Sequence, residues 1–70
     1  MAKFIKLKQT SGIPVYLNVD YIYELSPRIN NPTGANTYVY YQEGGDFNKC
    51  EVVETAEEVL AKIEGKTYVK

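Results

Sequence analysis

The sequence predicts an α+β fold: a small, curved antiparallel β-sheet of four to five strands with one C-terminal helix packed on one face. Two observations lead there. Through about residue 53 the chain is rich in aromatic and β-branched residues broken by turn signals, which is strand composition. The stretch from Thr55 to Gly65 carries a complete set of helix start and stop signals. At 70 residues the chain is read as one domain, spanning 1-70.

"KFIKLK" alternates, so Ile5 and Leu7 face one way and Phe4, Lys6 and Lys8 the other. "QTSG" is a turn. "IPVYLN" resumes the alternation, with Val15 and Leu17 on one face and Tyr16 on the other. Pro14 has no N–H to donate and suits an edge or a strand start. The two segments form a candidate hairpin. In "NVD", Asn18 and Asp20 are side chains that bond nearby amides and make a tight turn.

"YIYELS" is a third strand, or a helical turn leading into one; as a strand it places Tyr21, Tyr23 and Leu25 on one face. "PRINNPTGAN", about residues 27-36, is a loop, long for a chain of this size, and is either a contact element or a plain connection. "TYVYYQ" sets Tyr38 and Tyr40 opposite Val39 and Tyr41. "EGGDFN" is a turn on Gly44 and Gly45. "KCEVVE" sets Cys50 and Val52 opposite Val53.

The helix is expected over about 56-64. Thr55 is its N-cap and Glu58 closes a capping box, each side chain bonding the other's backbone amide. Glu57 and Glu58 suit the positive end of the helix dipole. Ala56, Val59, Leu60 and Ile63 make one apolar stripe. Gly65 ends the helix. "KTYVK" is a short last strand or a frayed tail, with partial order favoured for Tyr68 and Val69. The expected core is Ile5, Leu7, Val15, Leu17, Ile22, Val39, Val53, Val59, Leu60 and Ile63.

Composition narrows the function. There is no histidine, and Cys50 is the single cysteine, so neither an intrachain disulfide nor a zinc site is expected. Ser11 and Ser26 have no recognisable activator, and no dinucleotide or Walker fingerprint occurs. Glu51, Glu54, Glu57 and Glu58 read as a solvated, capped helix start in preference to a carboxylate metal site. Cys50 reads as a small buried residue. The expectation is a non-enzymatic protein with no cofactor and no metal. A lone cysteine and an N-terminal segment without a long apolar run point to the cytoplasm, with no membrane association.

Two surfaces carry the functional expectation. A helix on one face of a sheet leaves the other bare, and Tyr21, Tyr23, Tyr38 and Tyr40 are read either as a protein interface there or as good strand formers that pack the core or decorate the strands. Tyrosine gives much contact area for little lost entropy. A chain this small buries only ~60% of its unfolded surface, so self-association, most simply as a dimer, is expected beside an unknown protein partner. The alternative is a nucleic-acid-binding module using Phe4, Lys6, Lys8 and Tyr16, where aromatics stack bases and lysines hold phosphates. Eight basic residues against nine acidic ones oppose it.

Several segments in order also resemble the FlbD-like family of small bacterial flagellar proteins. They are "FIKL" (Phe4 to Leu7), Gly12, "VYLN" (Val15 to Asn18), Ile22 and "VVETAEEVLAKI" (Val52 to Ile63). That family carries an I-x-L opening, a G…V-x-L-N strand followed by an isoleucine, and a late V-x-E-S/T-x-E-E-V helix start. "PRINNPTGAN" and "EGGDFNKC" lengthen the middle beyond the family's tight hairpin. The resemblance implies a non-enzymatic accessory role in motility through protein contacts, and it brings no catalytic residue.

Overall fold

The computed structural model describes residues 3–65. Strands β1 (Phe4–Lys8) and β2 (Pro14–Asn18) form the expected antiparallel hairpin, with Ile5 opposite Leu17 and Leu7 opposite Val15. A 3₁₀ turn, Val19–Tyr21, follows, and the Asn18 side chain caps it by accepting the Asp20 N–H. Strands β3 (Ile22–Pro27), β4 (Thr37–Glu43) and β5 (Asp46–Val52) form an antiparallel meander. Helix α1 (Ala56–Glu64) is the last of the described elements. The segment Lys66 to Lys70, expected to be partly ordered, lies outside the described residues.

The α+β class holds, but the single sheet of four to five strands does not. The strands divide into a two-stranded and a three-stranded sheet. Among the described residues a single β-bridge joins them, where Gln9 faces Val52, flanked by Thr10 N–H to Glu51 C=O at 3.2 Å and Val53 N–H to Lys8 C=O at 2.9 Å. Beyond that point side chains take the place of a neighbouring strand. The Lys8 N–H donates to the Glu54 carboxylate, and Lys62 Nζ donates to the Lys6 C=O at 2.6 Å. β5 has turned toward the helix, so its tail caps the edge of β1 without extending a ladder along it.

The core fills the space between the two sheets and the helix. Ile5, Leu7 and Leu17 of the hairpin meet Val39, Cys50 and Val52 of the meander and Val59 of the helix. Val15, Ile22, Leu25, Tyr41 and Ile63 pack around them. Two expected core members are misplaced. Val53 is only half-buried and stands outside the cluster, because Cys50 and Val52 hold the inward parity of β5, opposite Val39 and Thr37. Leu60 is 47% exposed; the helix turns Val59 and Ile63 to the core instead. Ala35 and Thr37, not assigned to the core, are buried.

Local chemistry explains the ends. The Gly44–Gly45 loop joins Glu43 to its partner Asp46, with φ of 60° and 88°. Positive φ at both positions is what a twist-matched two-residue hairpin needs, and glycine adopts it without strain. The Thr55–Glu58 capping box is formed in both directions, at 2.8 and 3.1 Å.

The long loop is tied down. Asn31 Oδ1 accepts the Thr33 N–H at 2.9 Å, and Asn36 Nδ2 donates to the Val53 C=O at 2.6 Å. Its asparagines satisfy backbone and fix the path from β3 to β4.

Candidate functional surface

The outer face of the three-stranded sheet is built by alternation. Thr37, Val39 and Tyr41 of β4 turn inward, so Tyr38 and Tyr40 turn outward. On β5, Cys50 and Val52 turn inward, so Phe47, Lys49 and Glu51 turn outward. β3 changes parity within itself, with a register shift between Ile22 and Glu24. Leu25 therefore packs inward while Tyr23 stands on the outer face.

Two clusters occupy that face. The Tyr23 ring lies 6.3 Å from that of Tyr40 and 5.8 Å edge-on from that of Phe47. These spacings suit aromatic pairs that attract through their quadrupoles. Phe47 is nevertheless 70% exposed. Beside them the Tyr38 ring takes two cations, Arg28 Cζ and Lys49 Nζ, each 4.4 Å from its centroid. Lys49 arrives from β5, and Arg28 from the residue that follows β3. Asn31 Nδ2 donates to the Tyr38 hydroxyl at 2.8 Å, so the ring is anchored at its far end. Glu51 lies 3.8 Å from Lys49 Nζ. The face is thus an apolar patch bordered by charges of both signs.

The expected set of Tyr21, Tyr23, Tyr38 and Tyr40 is split. Tyr23, Tyr38 and Tyr40 share the outer face. Tyr21 ends the 3₁₀ turn and instead lines a groove of about 380 Å³ with Phe4, Tyr16 and Tyr41. Its predicted alternation with Tyr23 and Leu25 fails because the turn and the register shift interrupt the strand. Phe47, Arg28 and Lys49 were not anticipated. The signal for Phe47 was present: a two-glycine hairpin makes Asp46 the first residue of β5, which commits Phe47 to a strand.

The set Phe4, Lys6, Lys8 and Tyr16 does share one side of the hairpin, with Lys6 directly opposite Tyr16. All of them are exposed.

Cys50 lies in the core with its thiol toward Gln9 Oε1 at 3.8 Å. Burial pushes the thiol pKa up, and the Glu51 and Glu54 charges add to the rise. A thiol held protonated is a poor nucleophile. Among the described residues no group of three or more His, Cys, Asp or Glu is placed to hold a metal ion. No described helix is long and apolar enough to cross a membrane.

Comparison with protein-family models, with curated proteins and with solved structures gives no match, so the FlbD-like resemblance rests on the residues quoted for it alone.

Proposed function

We propose that this chain is a small non-enzymatic bacterial protein that works through protein contacts and self-associates, most simply as a dimer, through the outer face of β3, β4 and β5. One observation carries this reading: Tyr23 and Phe47, 52% and 70% exposed, form an aromatic cluster with half-buried Tyr40 on the outer face of the sheet. Exposed apolar patches rimmed by polar residues mark contact sites. Aromatic residues and arginine are also the side chains that anchor interfaces. Acidic Glu51 and basic Arg28 and Lys49 on one patch suit an isologous contact, in which a charge of each sign meets its opposite across the two-fold axis. The lone buried cysteine fits a cytoplasmic setting. The segments shared with FlbD-like proteins point to motility as the pathway.

The test is sedimentation equilibrium at high micromolar concentration. The expected result is a dimer for the wild type and a monomer for Tyr23→Ser/Phe47→Ser with an unchanged circular dichroism spectrum. A wild-type monomer across the range overturns the reading.

A second reading, single-stranded nucleic acid on the hairpin, is favoured by the shared face of Lys6 and Tyr16. It predicts salt-sensitive binding of short RNA or DNA that Lys6→Glu weakens. Titration showing no binding at low salt, or indifference to Lys6→Glu, ends it.

A further inference from the structure

β2 is an edge strand: it pairs with β1 on one side and with no other strand among the described residues. The register says which of its backbone groups are open. Val19 N–H donates to Lys3 C=O, and Gln9 N–H to Ile13 C=O. These bonds bracket the hairpin, so the residues in phase with them, Leu17 and Val15, exchange hydrogen bonds with Ile5 and Leu7. Tyr16 and Asn18 fall out of phase. The Tyr16 N–H and C=O and the Asn18 N–H therefore point away from β1, toward the open edge. On β1 the outward Lys8 C=O, Lys8 N–H and Lys6 C=O are engaged by Val53, Glu54 and Lys62. Pro14, which has no N–H, closes one end of the β2 edge.

The groove of about 380 Å³ runs beside this edge. Phe4, Tyr16, Tyr21 and Tyr41 are among the residues that line it, and its one charged lining residue is Glu43. The volume is at the low end of ligand sites. Aromatic faces attract a cation, most strongly when it is partly desolvated. A carboxylate at the rim adds attraction for the same charge. Lys6, opposite Tyr16 on the same side of the hairpin, is not among the lining residues, and Arg28 and Lys49 are engaged elsewhere, on the Tyr38 ring.

We infer that the edge of β2 and the adjoining groove form a docking site for an extended segment of a partner protein, which pairs with Tyr16 and Asn18 and sets an arginine or lysine side chain among the aromatic rings against Glu43. Main-chain pairing supplies affinity in this mode, and the side-chain groove supplies selectivity. The site extends the protein-contact reading to a second surface and does not depend on self-association. Sedimentation of the same samples separates failure of one from failure of the other.

The probe is a blocked peptide of alternating threonine and valine with arginine at its centre, titrated into ¹⁵N-labelled protein. Its counterpart carries norleucine in place of arginine. The expected result is movement of the Tyr16 and Asn18 amide resonances by the arginine peptide. Its affinity should exceed that of the norleucine peptide by on the order of fivefold, the worth of a partly exposed cation–π contact. Glu43→Gln should narrow that ratio, and N-methylation of the peptide backbone should abolish the shifts. Equal affinity of the two peptides overturns the inference. So does movement confined to Tyr23 and Phe47, or no movement up to about 5 mM peptide, a limit near the weakest measurable binding.

Discussion

The backbone N–H of Lys8 donates to both carboxylate oxygens of Glu54, at 3.0 Å each, across 46 positions of sequence. Glu54 thereby does for the end of β1 what a neighbouring strand would do. Its side chain is only 16% exposed and also holds Lys62 Nζ at 3.2 Å. Its own C=O accepts the hydroxyl of buried Thr37 at 2.8 Å. One residue therefore ties together the hairpin, the meander and the helix.

Glu54→Ala is expected to lower stability by about 1–3 kcal/mol, the cost of leaving a hydrogen-bonded N–H without its charged acceptor. Glu54→Gln keeps a carbonyl acceptor and should cost less. Lys62→Ala should lie between the two, since its ammonium also caps the Lys6 C=O. Urea denaturation at neutral pH measures all three. A Glu54→Ala midpoint equal to wild type removes Glu54 as the clasp between the sheets.

The capping box offers a local counterpart. Thr55 Oγ1 accepts the Glu58 N–H at 3.1 Å, and the Glu58 carboxylate accepts the Thr55 N–H at 2.8 Å. Thr55→Ala is expected to cost about 1 kcal/mol, whereas Thr55→Ser, which keeps the acceptor, should cost a few tenths. Thermal melts of the two variants decide the point: equal losses would mean that the threonine methyl, and not its oxygen, matters here.

These two contacts also divide what a sequence reading reaches from what it misses. Thr55 and Glu58 stand three residues apart, so their bond is written in local spacing, as is the turn at Gly44 and Gly45. Glu54 and Lys8 meet only after the chain has folded back, and nothing in their neighbours announces it. The split into two sheets follows from that meeting, so the split was illegible too. Tyr21 failed for another reason. Strand alternation has period two, so a single interruption reverses every later side chain. The 3₁₀ turn and the shift at Ile22 and Glu24 are such interruptions. Tyr38 and Tyr40, on an unbroken strand, came out on one face as expected. Their neighbour Phe47 is hidden when the start of its strand is read as part of the turn "EGGDFN".

Val59 and Leu60 test the orientation of the helix. Both belong to the stripe read from spacing, yet Val59 is fully buried and Leu60 is 47% exposed. Val59→Ala is expected to destabilise by roughly 2 kcal/mol, from lost burial plus the cavity left behind. Leu60→Gln should stay within about 0.5 kcal/mol of wild type, as substitutions outside the core do. Denaturant curves showing the reverse order would mean that the helix is rotated about its axis by one residue.

Cys50 gives the fold a dependence on alkaline pH whose sign is set by its surroundings. Burial raises the thiol pKa above its ordinary value of 9.0, and the charges of Glu51 and Glu54 push the same way. The folded chain thus keeps its thiol proton at pH values where the unfolded chain has released it. The stability linked to this proton is whole below the ordinary thiol value and is lost as pH climbs through that value toward the raised one. Lysines and tyrosines titrate in the same region, so the quantity to follow is the difference between wild type and Cys50→Ala. That difference is expected to stay constant from neutral pH to about 8.5 and to shrink above it. Native protein should also react with iodoacetamide far more slowly than urea-unfolded protein at the same pH, since the thiolate forms only when the core opens. A difference curve that is flat through the alkaline range, together with equal labelling rates, would mean that the thiol faces water.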